Sequence, residues 1–286
     1  MRAAWVILLF FALHVAGVSG TVATTTAIIA DVVHNIVGDR LSILSLIPAN
    51  TDPHAFEPTP QDLQALLKAD VIFANGAGLE KQLQPLFSLP EVKPKVVELS
   101  ADLPLRFLGD NPDPHVWLDP LYVVTWVEKI TAVLSALIPE ERAFFEANEE
   151  KYRMELYALD QWIRTEVEKI PKERRLLVTD HFALGYFAAR YGFVEVGAIL
   201  PSEASLAEPS AREISALIRR IQELRIPAIF VNLTFDQALA ARVAAEAGVR
   251  IVPLYLGTLS EPGGPAADYL SLMRENVRRI VGALGS

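Results

Sequence analysis

One stretch of the chain, residues 140–170, places the strongest constraint on the fold. It contains neither Gly nor Pro, and apolar residues recur along it at spacings of three, four or seven. These residues are Phe145, Tyr152, Leu156, Leu159, Ile163 and Val167. The pattern predicts one amphipathic helix of about 30 residues, or about 45 Å, bounded by Pro139 and Pro171. A helix of this length could lie along one lobe or brace two lobes, and we expect it to brace two.

On both sides of this helix, short apolar runs alternate with segments of helical period. The runs include 21–25, 41–47, 71–74 and 96–99 before it, and 176–179, 193–200, 228–231 and 251–254 after it. Such alternation is typical of parallel βα units. The sequence therefore predicts an α/β protein of two lobes with mainly parallel sheets, over 21–139 and 171–286, joined by the 140–170 helix. Small ligands commonly bind in clefts between domains, so we expect the site there.

The first 20 residues are typical of a secretory signal peptide. A single positive charge at Arg2 precedes a short apolar run, 5–15, and small residues follow up to Gly20. This run is shorter than the roughly 20 residues that a membrane span requires. The chain contains no cysteine, which argues against disulfides, thiolate metal sites and a cysteine-linked lipid. We therefore expect a secreted, periplasmic protein without a lipid anchor.

The overall charge argues against nucleic acids and anionic lipids as partners. The formal net charge is −9 and the isoelectric point is about 5.1. Neither value suggests a nucleic-acid-binding or anionic-lipid-binding protein. We also find no further apolar stretch that would predict a membrane span.

Three of the five histidines lie at predicted strand-to-helix junctions. These are His54, His115 and His181, whereas His14 belongs to the signal segment and His34 lies in a helical pattern. Imidazole is the commonest protein ligand of zinc. Asp52, Asp113 and Asp180 lie one or two residues upstream of the three histidines, where a carboxylate could accept an imidazole N–H. The wide spacing of these histidines is not a local metal motif, so the residues alone leave a shared site open.

Longer segments around these histidines resemble the zinc/manganese solute-binding family of ABC importers. They are Pro-His-Ala-Phe-Glu-Pro-Thr-Pro at 53–60, Asp-Pro-His-Val-Trp-Leu-Asp-Pro at 113–120, the segment 181–192, Glu-Pro-Ser at 208–210 and the segment 268–276. The resemblance implies two α/β lobes bridged by one long helix, with a divalent metal in the cleft. It also implies a monomer that is not an enzyme and that delivers its metal to an importer's membrane permease with its cytoplasmic ATPase.

The resemblance further implies a ligand set. The first two ligands in the family match His54 and His115. The third is His in zinc-type members and often Glu in manganese-type members, and here it is His181. Three imidazoles favour Zn²⁺, with Mn²⁺ as the alternative, because manganese prefers more oxygen ligands.

Two features depart from the family pattern. The family's fourth ligand is usually a carboxylate in the loop after the last strand, but Gly257 stands at that position. A water molecule, or one of the carboxylates Glu57, Glu261 and Asp268, could take its place. The histidine-rich loop of many zinc-type members is also missing, since residues 80–110 contain no histidine.

Two other functions remain open from the sequence. Three histidines with an open fourth position are also how catalytic zinc sites are built, so a zinc metallohydrolase is one alternative. No His-Glu-x-x-His motif accompanies them. The other alternative, prompted by Gly257, is an interaction or adhesin-like protein of the same fold that has lost its metal.

Overall fold

A computed structural model describes residues 20–200 and 209–285. The predicted signal peptide and Glu208 of the 208–210 segment therefore lie outside the described residues. Two four-stranded sheets are separated along the chain by two long helices. The predicted fold, two α/β lobes with parallel sheets and one long helix between them, is confirmed. The limits of the lobes at 139 and 171 remain predictions.

The first lobe contains a sheet with the strand order β2-β1-β3-β4, parallel throughout. Its elements are β1 (Thr21–Thr26), α1 (Ala27–Val37), β2 (Ser42–Ile47), α2 (Pro60–Lys68), β3 (Val71–Ala74), α3 (Gln84–Phe87) and β4 (Val96–Glu98). A short antiparallel hairpin follows, formed by β5 (Phe107–Leu108) and β6 (Asn111–Pro112). The carboxyl ends of the parallel strands all face the same edge of the sheet.

The second lobe contains a parallel sheet with the order β8-β7-β9-β10. Its elements are β7 (Leu176–His181), α6 (Gly185–Tyr191), β8 (Val194–Leu200), α7 (Ala211–Glu223), β9 (Ala228–Asn232), α8 (Gln237–Ala247), β10 (Arg250–Leu254) and α9 (Tyr269–Leu284). In each sheet the strand that comes first in the sequence, β1 or β7, lies between the second and the third strands, and the fourth strand lies beyond the third. Ligand sites in such open sheets lie at the carboxyl ends of the strands, near this reversal of order.

Two helices, α4 (Pro120–Leu137) and α5 (Arg142–Val167), connect the lobes and pack against each other. Helix α5, of 26 residues, contacts α1 of the first lobe and α6 and α9 of the second. All six residues of its predicted apolar stripe are buried. They belong to one core that runs through both lobes, so the linking helix is part of the hydrophobic core and holds the lobes together.

Helix α4 has no counterpart in the sequence prediction. It is the one described helix long and apolar enough to pass as a membrane span by length and composition. Half of that stretch is buried inside the protein, and the helix packs against α5. A core helix of a soluble protein passes the same test, so this helix is weak evidence for a membrane span.

Candidate metal centre

The first histidine, His54, lies in the loop between β2 and α2. It sits in a single 3₁₀ turn, Pro53–Ala55, whose N-cap is Asp52. The Oδ1 atom of Asp52 accepts a hydrogen bond from the backbone N–H of His54 at 2.9 Å. The side-chain amide of Gln82 donates to the carbonyl oxygen of His54 at 3.1 Å. Buried Pro53 and these two hydrogen bonds fix the backbone, while the imidazole stays partly exposed.

The second histidine, His115, follows the β5–β6 hairpin and precedes α4. Oδ1 of Asp113 accepts hydrogen bonds from the backbone N–H of His115 at 3.1 Å and from its ring Nδ1 at 2.8 Å. Asn75, at the end of β3, donates to the carbonyl oxygen of Pro114 at 3.0 Å. His115 is 1% exposed and Asp113 is fully buried. The position of this imidazole is therefore fixed by both its backbone and its ring.

The third histidine, His181, is the last residue of β7. Its Nδ1 lies 2.8 Å from Oδ2 of Asp180. The other carboxylate oxygen of Asp180 accepts a hydrogen bond from the backbone N–H of Asn232, at the end of β9, at 2.9 Å. Asp180 thus connects the imidazole to the neighbouring strand of the sheet. Asp113 and Asp180 thus lie within hydrogen-bond distance of imidazole Nδ1 atoms, as predicted, whereas Asp52 caps the His54 turn through the backbone N–H.

The three imidazoles converge on one point between the lobes. Nε2 of His115 lies 3.2 Å from Nε2 of His54 and 3.2 Å from Nε2 of His181. One ring nitrogen from each of the three histidines lies within 4.8 Å of the other two. Zinc–nitrogen bonds of 2.0–2.1 Å in a tetrahedral site separate neighbouring ligand nitrogens by about 3.3 Å. The spacing around His115 is thus close to that of two edges of a zinc tetrahedron.

The hydrogen bonds to the two aspartates also set the electrostatics of this point. Because Nδ1 of both His115 and His181 faces a carboxylate, we assign the ring proton to Nδ1 in each. The Nε2 atoms then present lone pairs to each other at 3.2 Å. Two such lone pairs repel unless a cation lies between them. The arrangement therefore suits a positively charged ligand, and neutral imidazoles with carboxylate partners suit a divalent metal.

A further carboxyl group, Glu195 on β8, lies behind this centre. It is largely buried, and burial raises the pKa of Glu195 to about 7. The backbone N–H of Leu184 donates to Glu195 at 2.9 Å and lowers its pKa, whereas the charge of Asp113 raises it. Oδ2 of Asp113 is itself buried without a hydrogen-bond partner. The buried carboxylates of Asp113 and Asp180, each 2.8 Å from an imidazole Nδ1, favour a cation among the imidazoles.

The loop after β10 reaches the same centre. The indole N–H of Trp117 donates to the carbonyl oxygen of Leu256 at 2.8 Å. The next residue, Gly257, is buried beside Pro53, and a Cβ atom at position 257 would lie 2.9 Å from Cδ of that proline. The position at which the sequence resemblance implies a carboxylate therefore lies beside the His54 turn, and Gly257 offers no side chain there.

None of the other carboxylates considered for the fourth position joins the three histidines within the described residues. Glu57 is exposed. Glu261 accepts a hydrogen bond from the side chain of Asn50 at 3.0 Å. Asp268 is the N-cap of α9 and accepts from the backbone N–H of Ser271. His34 is exposed on α1 and is likewise not part of the cluster.

A second acid that supports the centre, Glu80, was, like Glu195, not predicted from the sequence. Glu80 is fully buried and accepts hydrogen bonds from Thr25 Oγ1 at 2.8 Å and from the backbone N–H groups of Asn75 at 2.7 Å and Gly76 at 3.0 Å. Burial raises the pKa of Glu80 to about 7 despite these donors. It holds the turn from which Asn75 reaches Pro114. The sequence signal that could have identified Glu80 is an acidic residue a few positions after the Asn-Gly pair that follows β3.

The known proteins that this chain resembles are metal-binding proteins, which agrees with a metal centre at the three histidines. A family model described as zinc-uptake complex component A, periplasmic (ZnuA), matches residues 22–283. The manganese-binding lipoprotein MntA of Halalkalibacterium halodurans is 36% identical over 92% of this chain and 88% of its own. The zinc-binding protein TroA of Treponema pallidum is 32% identical over the same shares. The solved structure of periplasmic zinc-binding TroA superposes with a TM-score of 0.86 at 30% identity, covering 93% of this chain and 99% of that one.

The relatives correct the expectation of a protein without a lipid anchor. MntA and the manganese substrate-binding protein PsaA of Streptococcus pneumoniae, the latter 30% identical over 92% of this chain, are both named lipoproteins. An extracytoplasmic location fits these names, but a protein without a lipid anchor does not. The expectation was wrong because it was inferred from the absence of cysteine alone.

The family assignment rests on agreement over nearly the whole chain. The family model covers 22–283, and the relatives align over about nine tenths of both sequences. Cadmium-bound and manganese-bound periplasmic metal-binding proteins of Candidatus Liberibacter asiaticus share the fold, with TM-scores of 0.83 and 0.82. The resemblance seen in the sequence is therefore confirmed: the chain belongs to the ZnuA family of metal-binding, substrate-binding proteins of ABC transporters.

Proposed function

We propose that this protein captures Zn²⁺ outside the cytoplasmic membrane and delivers it to an ABC importer, through a membrane permease coupled to a cytoplasmic ATPase. The observation that carries the proposal is the convergence of one ring nitrogen from each of three imidazoles, all within 4.8 Å of one another. We further propose that the protein acts as a monomer and is not an enzyme. The relatives named as transporter substrate-binding proteins support the class of function.

The proposed metal ligands are Nε2 of His54, His115 and His181. Support comes from the 3.2 Å spacings and from the carboxylates that fix the rings of His115 and His181. An all-nitrogen set supports zinc, because manganese prefers carboxylate, carbonyl and water oxygens. Relatives of both specificities exist, since MntA is named for manganese and TroA for zinc. The metal must therefore be tested directly.

The deciding experiment is a competitive titration of the metal-stripped protein with Zn²⁺ and Mn²⁺, in which calorimetry measures the heat of binding. We expect one zinc site with submicromolar affinity and much weaker manganese binding. A manganese affinity equal to or above that of zinc would refute zinc as the cargo. Binding of neither metal would refute metal capture and favour an interaction protein that has lost its site.

A matched pair of histidine variants tests the ligand set. In His115→Ala we expect zinc affinity to fall by about tenfold or more, because a buried ligand is removed. His34→Ala removes an exposed histidine on α1 and should bind zinc like the wild type. If the two variants bound zinc equally well, His115 would not be a ligand.

The metallohydrolase alternative predicts catalysis by the zinc-loaded protein. We expect none, because the relatives above are named as binding proteins and we identify no general base placed for a bound water. Hydrolysis of p-nitrophenyl acetate and p-nitrophenyl phosphate should not exceed that by free zinc. Activity that is lost in His115→Ala would instead support a catalytic site.

A further inference from the structure

The loop that carries His54 is attached to the opposite lobe through one residue near its start. This His54 loop, residues 48–59, connects β2 to α2 in the first lobe. The backbone N–H of Asn50 donates a hydrogen bond to the carbonyl oxygen of Leu259, in the second lobe, at 3.2 Å. The side-chain amide of Asn50 donates to Oε1 of Glu261, also in the second lobe, at 3.0 Å. Asn50 therefore links the two lobes by two hydrogen bonds.

The backbone conformation of Asn50 limits which residues can make this link. Its φ angle is +60°, in the left-handed region that glycine, asparagine and aspartate adopt more readily than other residues. Glycine would tolerate the backbone but would not supply the amide that reaches Glu261. Aspartate would tolerate it as well, but its side chain would bring a second carboxylate to that of Glu261. Asparagine thus meets both requirements, the conformation and the donor.

The two acceptors belong to a firmly held part of the second lobe. Leu259 is buried in the hydrophobic core. The carbonyl oxygen of Glu261 accepts a hydrogen bond from the backbone N–H of Gly264 at 2.9 Å, which closes a four-residue turn. Pro262 and Gly263, whose φ angle is +82°, occupy the central positions that a type II turn favours for proline and glycine. The acceptor side is therefore in place before Asn50 contacts it.

This link bears on His54 more than on the other two histidines. His115 and His181 are 1% and 7% exposed, and the ring of each lies 2.8 Å from a buried aspartate. The imidazole of His54 is partly exposed and lies on the same loop as Asn50, four positions later. A movement that detaches Asn50 from the second lobe therefore shifts His54 and leaves the other two imidazoles in place.

We propose that Asn50 and Glu261 form an interlobe clasp that positions His54 at the metal, and that the clasp opens before the metal leaves. This inference rests on the proposed metal capture by the three histidines. Both residues act through the position of the His54 loop and not as metal ligands. The clasp slows dissociation of the metal more than it changes association, and a partner that pulls the His54 loop from the second lobe releases the cargo.

Exchanging the donor and the acceptor of the side-chain hydrogen bond tests the pair. Asn50→Asp keeps a residue type that tolerates the φ angle, but its carboxylate faces that of Glu261 and the two repel. Glu261→Gln keeps an oxygen that accepts from the amide of Asn50, and it serves as the matched control. The double variant Asn50→Asp/Glu261→Gln reverses the hydrogen bond, because the glutamine amide donates to the aspartate.

The dissociation rate of zinc is measured by stopped-flow transfer to an excess of a chromophoric chelator, with the melting temperature of each metal-free protein recorded alongside. We expect dissociation to be about three- to tenfold faster in Asn50→Asp than in the wild type. The rates of Glu261→Gln and of the double variant should be close to that of the wild type. Added salt should bring the rate of Asn50→Asp closer to that of the wild type, because salt screens the repulsion between exposed carboxylates.

Two results with the Asn50 variants would overturn the clasp. One is a rate in Asn50→Asp equal to that of the wild type. The other is a fast rate that persists in the double variant, because Asn50 would then act without Glu261. A large loss of zinc affinity in Glu261→Gln would make Glu261 a metal ligand and would also overturn the clasp.

Failure of this inference is distinguishable from failure of the proposed function. If the wild type binds no zinc, or binds it as well in His115→Ala, metal capture by the histidines is refuted and the clasp with it. If zinc binding depends on His115 but dissociation is equally fast in the wild type and in the three clasp variants, metal capture stands and the clasp alone is refuted.

Discussion

The carboxylate of Asp113 should strengthen metal binding without touching the metal. Its Oδ1 lies 2.8 Å from Nδ1 of His115. With the width of the ring and a bond to zinc added, the carboxylate would lie roughly 6–7 Å from the ion. Charges of −1 and +2 at that distance attract by about 5 kcal/mol at an effective dielectric constant of about 20. This figure is an upper value, because the substituted site relaxes.

We expect Asp113→Asn to lower zinc affinity by about 10- to 100-fold, the usual effect of substituting a residue that orients a metal ligand. This corresponds to about 1.4–2.7 kcal/mol. The substitution keeps the shape of the side chain and removes its charge. Asp39→Asn is the matched control, because Asp39 is exposed in the turn after α1 and is not part of the histidine cluster.

The assay is competition for zinc against a chromophoric chelator, with the thermal stability of each metal-free protein measured alongside. An affinity loss in Asp113→Asn no larger than in Asp39→Asn would refute the reasoning. So would a loss accompanied by unfolding of the metal-free variant, which would make the effect structural.

Three further outcomes are expected. Zinc should raise the melting temperatures of the wild type and of His34→Ala, because it binds the folded state. It should raise the melting temperature of His181→Ala much less, and equal shifts would contradict a role for His181. Zinc affinity should fall as the pH is lowered, because protons compete with the metal for imidazole. A pH-independent affinity would argue against histidine ligands. Burial raises the pKa of Glu80 to about 7 from an ordinary 4.5, so its proton stabilises the fold fully below about pH 4.5, and this contribution is lost as the pH rises to about 7. Chemical denaturation across this range should show a steeper loss of unfolding free energy in the metal-free wild type than in Glu80→Gln; identical slopes would contradict the raised pKa.

Periodicity predicted much of the fold because burial follows it closely. The apolar positions of α5 are all buried, and its ends lie within three residues of the predicted limits. The strand at 228–231 was found because all of its residues are buried between neighbouring strands. Helix α4 was missed, although Asp119 caps its start and Pro120 opens it. Its nearly continuous apolar character gives a weaker amphipathic period than that of α7, for example.

The candidate site was predictable only in part. The proline- and aspartate-bounded loops identified His54, His115 and His181, but residues 61 and 66 positions apart give no distance in space. Only the fold places them at one point. Glu195 and Glu80 were missed because their importance comes from burial against the loops that hold His115 and His181, which no local pattern reveals.

The most direct test of the account is the position of zinc itself. Crystals of the zinc-loaded protein, measured on both sides of the zinc absorption edge, would locate the ion by anomalous scattering. We predict a single strong peak 2.0–2.1 Å from Nε2 of His54, His115 and His181. A peak elsewhere, or one that lacks any of these three nitrogens as a ligand, would contradict the proposed metal centre.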